Sequence, residues 1–490
     1  MAIRIVMLAA ECEPWAKTGG LADVVDALAR SLGRLPDAGA GLATPVDVFL
    51  PRYRSVPVPA SAEQEPPLWI ENPAIGGEPL EVHVVNVEAD GYWLRLIDVP
   101  SAFDRDAFYD HPDDPWRFAV FCRAALAVMR RDELAIDVLH IHDWHTGPVL
   151  LERVRMDAAG DPFFARTAVM LTLHNLAYHG WVPLPQFFQL GVTAGTALAG
   201  ANPDGLDLLL TAIDGADLIN TVSPGFAAEA LTPAFGMGLD HALAGKGDRF
   251  FGILNGLDTG LWNPATDTLI ATQYERDAIV GKAACRADLL TRVGFDPADD
   301  GLVAGMIGRM DPQKGFDLLA DGAADLLAAG VRIVVQGSGH ASLADPFRAL
   351  AAANPGRVAL IERFDREMAR RIYAGSDVFL MPSRFEPCGQ GQMIALRYGT
   401  PPVVRRTGGL ADSVVDADAY QGSGTGFVFD EASPAALVAS VLRAARMRAH
   451  APAAWGALLR RSMSQDFGWD TGSAPQYLAA YRRAAGLRRT

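Results

Sequence analysis

Thr18-Gly19-Gly20-Leu21-Ala22-Asp23 returns, residue for residue, as Thr407-Gly408-Gly409-Leu410-Ala411-Asp412. Each copy runs on toward a Val-Val-Asp with helical character. A glycine pair ahead of a helix start is a device for cradling phosphate. Glycine admits positive φ and close approach of backbone to a ligand, and the first turn of the helix offers unpaired N–H groups to an anion. One such loop alone reads as well as a tight strand-to-helix turn. An identical pair, one copy in each half, reads as two similar α/β domains whose glycine-rich edges face a shared cleft. A sugar nucleotide, with its diphosphate, suits that cleft.

Outward from these loops, strand-like runs alternate with helical periodicity along the chain, the pattern of parallel sheets covered by helices. The first series is Ile3–Ala10, Val46–Pro51, Val138–Asp143, Val169–His174 and Leu218–Ser223. Glu81–Val99 reads as a hairpin around Ala89-Asp90-Gly91, inserted in the first domain. A second series starts near Phe250 and continues through Val303–Arg309, Arg332–Gly337, Val358–Ile361, Val378–Ser383 and Pro402–Arg405. The glycine-rich stretch from Gly236 to Gly247 is expected as the junction. The predicted domains are 1–247 and 248–470, with a last helix in 471–490 packing back on the first.

Length supports more than one domain: 490 residues exceed one ordinary core. Lys and Arg number 43 against 58 Asp and Glu, a formal charge of −15. That balance argues against nucleic acid or an acidic membrane surface as partner; a neutral polymer substrate is compatible with it, as is almost any cytosolic enzyme. No apolar run reaches membrane-span length, and the N-terminus reads as a first buried strand rather than a signal peptide. Cys12, Cys122, Cys285 and Cys388 lie far apart with no CxxC spacing, which fits a reducing cytoplasm.

In open α/β sheets ligands bind beyond the carboxyl ends of strands, so the chemistry is sought there. Ser383-Arg384-Phe385-Glu386-Pro387-Cys388-Gly389 follows a strand, and a carboxylate held there could accept sugar hydroxyls or stabilise positive charge at an anomeric carbon. The plainer reading is a solvated turn with an Arg–Glu pair. Arg309 and Lys314, on the loop Gly308–Gly315, offer a fork and a point charge to a diphosphate, or are surface charges. In the first half, His140-Ile141-His142-Asp143-Trp144-His145 invites a zinc reading, but strand alternation and the lack of a Cys or HExxH partner disfavour it. The next strand ends in His174-Asn175, and Asp143 and His174 read better as polar groups reaching a sugar from adjacent strand ends. Lys17 brings positive charge to the first loop. A dinucleotide dehydrogenase would want GxGxxG after its first strand and an acidic residue ending the second, and the chain has neither.

Taken together, Lys17–Val24, His142–His145, Thr172–Tyr178, Phe235–Asp240, Gly252–Gly256, Gln313–Gly315, Ser383–Gly389, Arg397–Thr400 and Thr407–Asp412 resemble, in order, the bacterial glycogen synthases and plant starch synthases. The resemblance implies a GT-B fold, two Rossmann-like parallel-sheet domains facing a deep interdomain cleft. It implies a retaining transfer of glucose from ADP-glucose to the non-reducing end of an α-1,4-glucan such as glycogen, in the cytoplasm, with no cofactor and no metal. UDP-glucose as donor, a short maltosyl acceptor, or a non-catalytic glucan-binding regulator are the alternatives. On the resemblance, Arg309 and Lys314 clamp the diphosphate, Glu386 holds the donor glucose and His174 contacts the sugar near the reacting carbon. Lys17, Gly19 and Gly20 form the closing loop, and Asp143, Asn175 and Asn255 line the site. Cys388, Gly389 and Gly391 belong to the Glu386 loop, and Gly408 and Gly409 form the second phosphate loop. One departure stands out: Gln390-Gly391-Gln392 replaces the usual Leu-Thr-Gln, removing a Thr hydroxyl expected near phosphate.

Overall fold

A computed structural model describes residues 2–35, 42–192, 198, 200–417 and 422–488. The chain forms two compact units: Met1–Gly256 together with Trp469–Thr490, and Leu257–Gly468.

The first unit is built on strands β1 (Ile3–Leu8), β2 (Leu42–Pro51), β3 (Glu63–Gln64), β4 (Leu68–Ile70), β5 (Leu80–Glu88), β6 (Tyr92–Asp98), β7 (Val138–His142), β8 (Ala168–Leu173), β9 (Trp181–Pro183), β10 (Gly205–Asp207), β11 (Leu218–Thr221) and β12 (Phe250–Gly252). The main sheet runs β12-β11-β8-β7-β1-β2-β6-β5-β3, with β4 beside β5. Strands β7 and β8 are buried at every residue, as expected of near-continuous apolar runs covered on both faces. The direction of strand succession reverses between β1 and β7, the switch point beyond which open α/β sheets bind ligands.

The second unit holds β13 (Val303–Ile307), β14 (Arg332–Gln336), β15 (Val358–Ile361), β16 (Val378–Met381), β17 (Pro402–Arg405) and β18 (Phe427–Phe429), all parallel. Their order, β15-β14-β13-β16-β17-β18, is the 3-2-1-4-5-6 order of nucleotide-binding sheets, with the reversal between β13 and β16.

Three expectations are corrected. The hairpin β5–β6 is no insertion: β6 pairs in parallel with β2 over Val46–Pro51 and extends the main sheet. The strand at Phe250 belongs to the first series, since β12 pairs with β11 and Phe250 is buried. The stretch from Gly236 to Gly247 is not the junction. It carries the helix Asp240–Gly245, buries Leu243, and is held by Lys246 Nζ donating to the carbonyls of Asp214 and Ala216 at 2.6 and 3.3 Å. The chain leaves the first unit at Gly256–Leu257 and returns at Gly468–Trp469, and at that point Leu257 N donates to Phe467 O at 2.6 Å. Local glycine content misplaced the junction because these glycines serve turns inside a packed segment.

The helix Ala474–Arg488 lies on the first sheet, with Tyr477 and Tyr481 fully buried. Tyr477 OH accepts from Asn220 Nδ2 at 3.1 Å, and Tyr481 OH lies 2.9 Å from His140 Nδ1. Among the described residues, no helix is long and apolar enough to cross a membrane.

Candidate active site

In the first unit the candidate site residues follow the carboxyl ends of parallel strands: Lys17, Gly19 and Gly20 after β1, Asp143 after β7, His174 and Asn175 after β8, and Asn255 after β12. In the second unit, Arg309 and Lys314 follow β13, Glu386 through Gly391 follow β16, and Gly408 and Gly409 follow β17.

In the first unit the tightest group is Asp143, His174 and Asn175. Asp143 has a positive φ of 52°, and its Oδ1 accepts from His174 N at 2.7 Å and Asn175 N at 3.5 Å. The carboxylate thereby ties the ends of β7 and β8 together. Burial raises its pKa from 3.8 to about 7, against the pull of the two amides. His174 Nε2 lies 3.0 Å from His142 Nδ1, and burial lowers the His174 pKa to about 3. His174 is therefore a neutral imidazole at physiological pH. Asn175 Oδ1 caps the next turn by accepting from Ala177 N. Asn255 Oδ1 is buried with no hydrogen-bond partner.

The Asp143 shift predicts a pH dependence of stability. A carboxyl with a higher pKa folded than unfolded binds more protons in the folded chain between about pH 4 and 7, so its contribution falls as pH rises through that window. Asn at 143 keeps Oδ1 for both amides and carries no charge. Asp143→Asn should be more stable than the parent by on the order of 2–4 kcal/mol at pH 8, with the gap closing toward pH 4. Denaturant titrations of both proteins across that range measure it, and a gap independent of pH would remove burial of the charge as its cause.

Around the first glycine loop the structure departs from the phosphate reading. Glu11 reaches into it: its carboxylate accepts from Thr18 N and Thr18 Oγ1, both at 2.6 Å, from Gly19 N at 3.0 Å, and from Tyr109 OH at 2.8 Å. An amide already bonded to a carboxylate is a poor seat for a second anion. Lys17 pairs with Asp23 at 2.6 Å and with Glu13 at 3.3 Å. Burial works against its ammonium, but these partners raise its pKa overall. Asp23 is itself pushed up by burial and by the nearby Glu13 and Glu11 charges, which outweigh Lys17. The loop thus offers one ammonium in an acidic setting, better matched to sugar hydroxyls than to a diphosphate.

The second unit sets a cation against a buried carboxylate instead. Lys314 Nζ bonds both oxygens of Glu386, at 2.9 and 2.7 Å, and Ser383 Oγ donates to Glu386 Oε2 at 3.0 Å. The β13 and β16 loops therefore meet at the reversal point, through this ion pair and through Arg384 N donating to Gln313 O at 2.8 Å and Gln313 Nε2 to Phe385 O at 3.0 Å. The Glu386 side chain is 6% exposed, so the plainer reading of a solvated Arg–Glu turn fails; Arg384 pairs with Asp317 instead. Arg309 is not part of this cluster: its Nε bonds Asp311 at 2.7 Å and the side chain is 66% exposed. Gly409 N donates to Glu386 O at 3.0 Å, so the second glycine loop props the Glu386 loop from behind. Gln392 Nε2 donates to the carbonyls of Cys388 and Gly389 and to Ser413 Oγ, each at 3.0 Å, pinning the same loop. At Gly391 a side chain would press on Phe379, Met381 and Tyr373 at 3.0–3.3 Å, so the space a Thr would need is already filled.

Glu11, His142, Ser383 and Gln392 support these sites and were not marked as functional from the sequence. His140 and His142 stand two residues apart on β7, and their rings lie 4.1 Å apart. The partners of the other three are set by the fold.

Comparison with known proteins follows the same division. Residues 4–245 match the starch synthase catalytic domain and residues 301–446 match glycosyl transferases group 1. A glycogen synthase of Paracidovorax citrulli is 40% identical over 100% of this chain and 96% of its own. Glycogen synthase 2 of Geobacter sulfurreducens is 38% identical over 99% of this chain and 100% of its own. The catalytic domain of starch synthase IV from Arabidopsis thaliana, solved with ADP and acarbose, superposes with a TM-score of 0.88 at 31% identity, covering 99% of this chain and 100% of that one. Sucrose-phosphate synthase from Thermosynechococcus elongatus, at 19% identity and a TM-score of 0.59, shares the fold.

Proposed function

The chain belongs to the glycogen and starch synthase family of GT-B glycosyltransferases, and on that premise we propose that it moves glucose from ADP-glucose to the non-reducing end of an α-1,4-glucan, with retention at the anomeric carbon. The observation that carries the reading is the Lys314–Glu386–Ser383 cluster at the reversal point of a 3-2-1-4-5-6 sheet. Strand ends at such a point bind nucleotides, and a fixed carboxylate beside a cation suits a sugar joined to a diphosphate. The bound ADP and acarbose of the Arabidopsis neighbour support the same pairing of nucleotide and saccharide.

In this reading Lys314 and the exposed Arg309 take up the charge of the departing diphosphate. Glu386 holds donor hydroxyls and steadies positive charge at the anomeric carbon. His174, held in place by the Asp143 tie between β7 and β8, contacts the sugar, and Lys17, on the glycine loop that Glu11 braces, meets donor and acceptor. The acceptor hydroxyl attacks on the face the phosphate leaves, with that phosphate as its base, so no protein nucleophile is assigned. All four cysteines are free, in keeping with a cytoplasmic enzyme.

Nucleotide release from purified protein tests this, with ADP-glucose or UDP-glucose, with and without glycogen, in EDTA. Glycogen-dependent ADP release is expected. Release from UDP-glucose alone would move the donor assignment, and no release from either donor with glycogen still bound would replace the enzyme by a glucan-binding protein.

A further inference from the structure

We propose that His142 is a positioning residue that fixes His174 as the Nδ1–H tautomer, so that the donor sugar meets a hydrogen-bond donor of set direction. The proposal deepens the reading of His174 as a sugar contact and rests on it for its functional part; the tautomer itself follows from the geometry and burial of the two imidazoles.

Burial holds both imidazoles neutral at physiological pH, His174 at about 3 and His142 well below its ordinary value. A neutral imidazole has one N–H and one bare nitrogen. His142 Nδ1 and His174 Nε2 are 3.0 Å apart, so one of the two carries the shared proton. The other nitrogen of His142 decides which. Nε2 of His142 is buried and no group bonds it. Were the shared proton on His174, His142 would carry its own at Nε2, as a buried N–H with no acceptor. With the proton on His142 Nδ1, only a lone pair is orphaned. Orphaned buried N–H groups are the rarer of the two, because the donor loses its water without gaining a partner.

His140, whose ring lies against His142, offers no rescue. Asn220 Nδ2 donates to Tyr477 OH and Thr221 O, so its Oδ1 faces Thr172 Oγ1 and accepts that hydroxyl at 2.6 Å. Thr172 Oγ1 then accepts from His140 Nε2 at 2.7 Å, and the bare Nδ1 of His140 accepts from Tyr481 OH at 2.9 Å. Both nitrogens of His140 are committed to this chain of bonds, which runs to the C-terminal helix. His142 is thus left with one bond, toward His174. His174 Nε2 is the acceptor in it, and the remaining proton sits on Nδ1. A free histidine side chain prefers Nε2–H, so the protein selects the less favoured form.

The test uses full-length protein labelled with ¹⁵N at histidine side chains, the His174 signals being assigned by their loss in His174→Ala. Two-bond ¹H–¹⁵N correlation between pH 6.5 and 8 should show a protonated Nδ1 and a bare Nε2 at His174; the reverse pattern overturns the proposal. His142→Phe keeps the ring volume against His140 and removes the donor. It should move His174 toward Nε2–H and lower kcat about 10- to 100-fold, with KM for ADP-glucose within about threefold. His142→Asn, whose amide N–H can stand near Nδ1, should recover most of the rate. Equal losses in both variants with an unchanged His174 spectrum would show a packing role only and overturn the proposal. If His142→Phe does not fold, the parent spectrum decides. Should ADP release fail in the parent protein, the proposed function falls while the spectrum still reads the tautomer.

Discussion

Glu386→Gln should lower kcat for glucosyl transfer by about 10²- to 10³-fold, with the fold intact. The substitution keeps the side-chain volume and one carbonyl oxygen for Ser383 Oγ, and the backbone bond from Gly409 N to Glu386 O is untouched. What it removes is the negative charge. As the bond from the anomeric carbon to the diphosphate breaks, positive charge spreads over the sugar ring. A carboxylate already held by Lys314 and Ser383 meets that charge without reorganising. The loss belongs in kcat because a neutral amide still hydrogen-bonds ground-state hydroxyls, so uniform binding survives. Lys314 loses its partner, but a quarter of its side chain is exposed and water can take over, which limits the effect on stability. Steady-state ADP release, with a denaturation curve beside it, measures both quantities. Parental turnover in the variant would remove Glu386 from the reaction.

How far the site could be read from sequence depended on which contacts were local. Strand ends are local: an apolar run followed by Gly, His, Asp or Glu marks its own carboxyl end, and each marked residue lies at one. The pairing of Lys314 with Glu386 spans 72 residues, and no spacing announces it; only the adjacency of β13 and β16 brings the loops together. Glu11 shows the opposite limit. It is only seven residues from Thr18, yet nothing in the sequence says that its carboxylate turns back to fill the glycine loop. The junction was misread for a related reason. Glycines between Gly236 and Gly247 looked like a linker, whereas Leu243 and Lys246 anchor that stretch to the first unit through contacts with segments about thirty residues away.

The two copies of Thr-Gly-Gly-Leu-Ala-Asp should answer the same substitution in opposite ways. At Gly409 a Cβ would stand 2.2 Å from Cys388 O and 2.5 Å from Cys388 Cα, against backbone that has no rotamer to escape into. Gly409→Ala must therefore push the Glu386 loop away from the second glycine loop. We expect a loss of about 3 kcal/mol or more, about 6–12 °C in melting temperature for a unit of this size, together with most of the activity. At Gly20, the first residue of the helix Gly20–Arg34, a Cβ would meet nothing within 4 Å. Alanine is the better helix former, so Gly20→Ala should leave stability unchanged or raise it by up to about 1 kcal/mol. The glycine there has no internal steric reason, which leaves the approach of substrate as its reason: Gly20→Ala should slow transfer at full stability. Calorimetry and ADP release on the two variants separate the cases. Destabilisation by Gly20→Ala, or tolerance of Gly409→Ala, would mean that the twin loops do the same job, one bracing its own unit and the other doing no more.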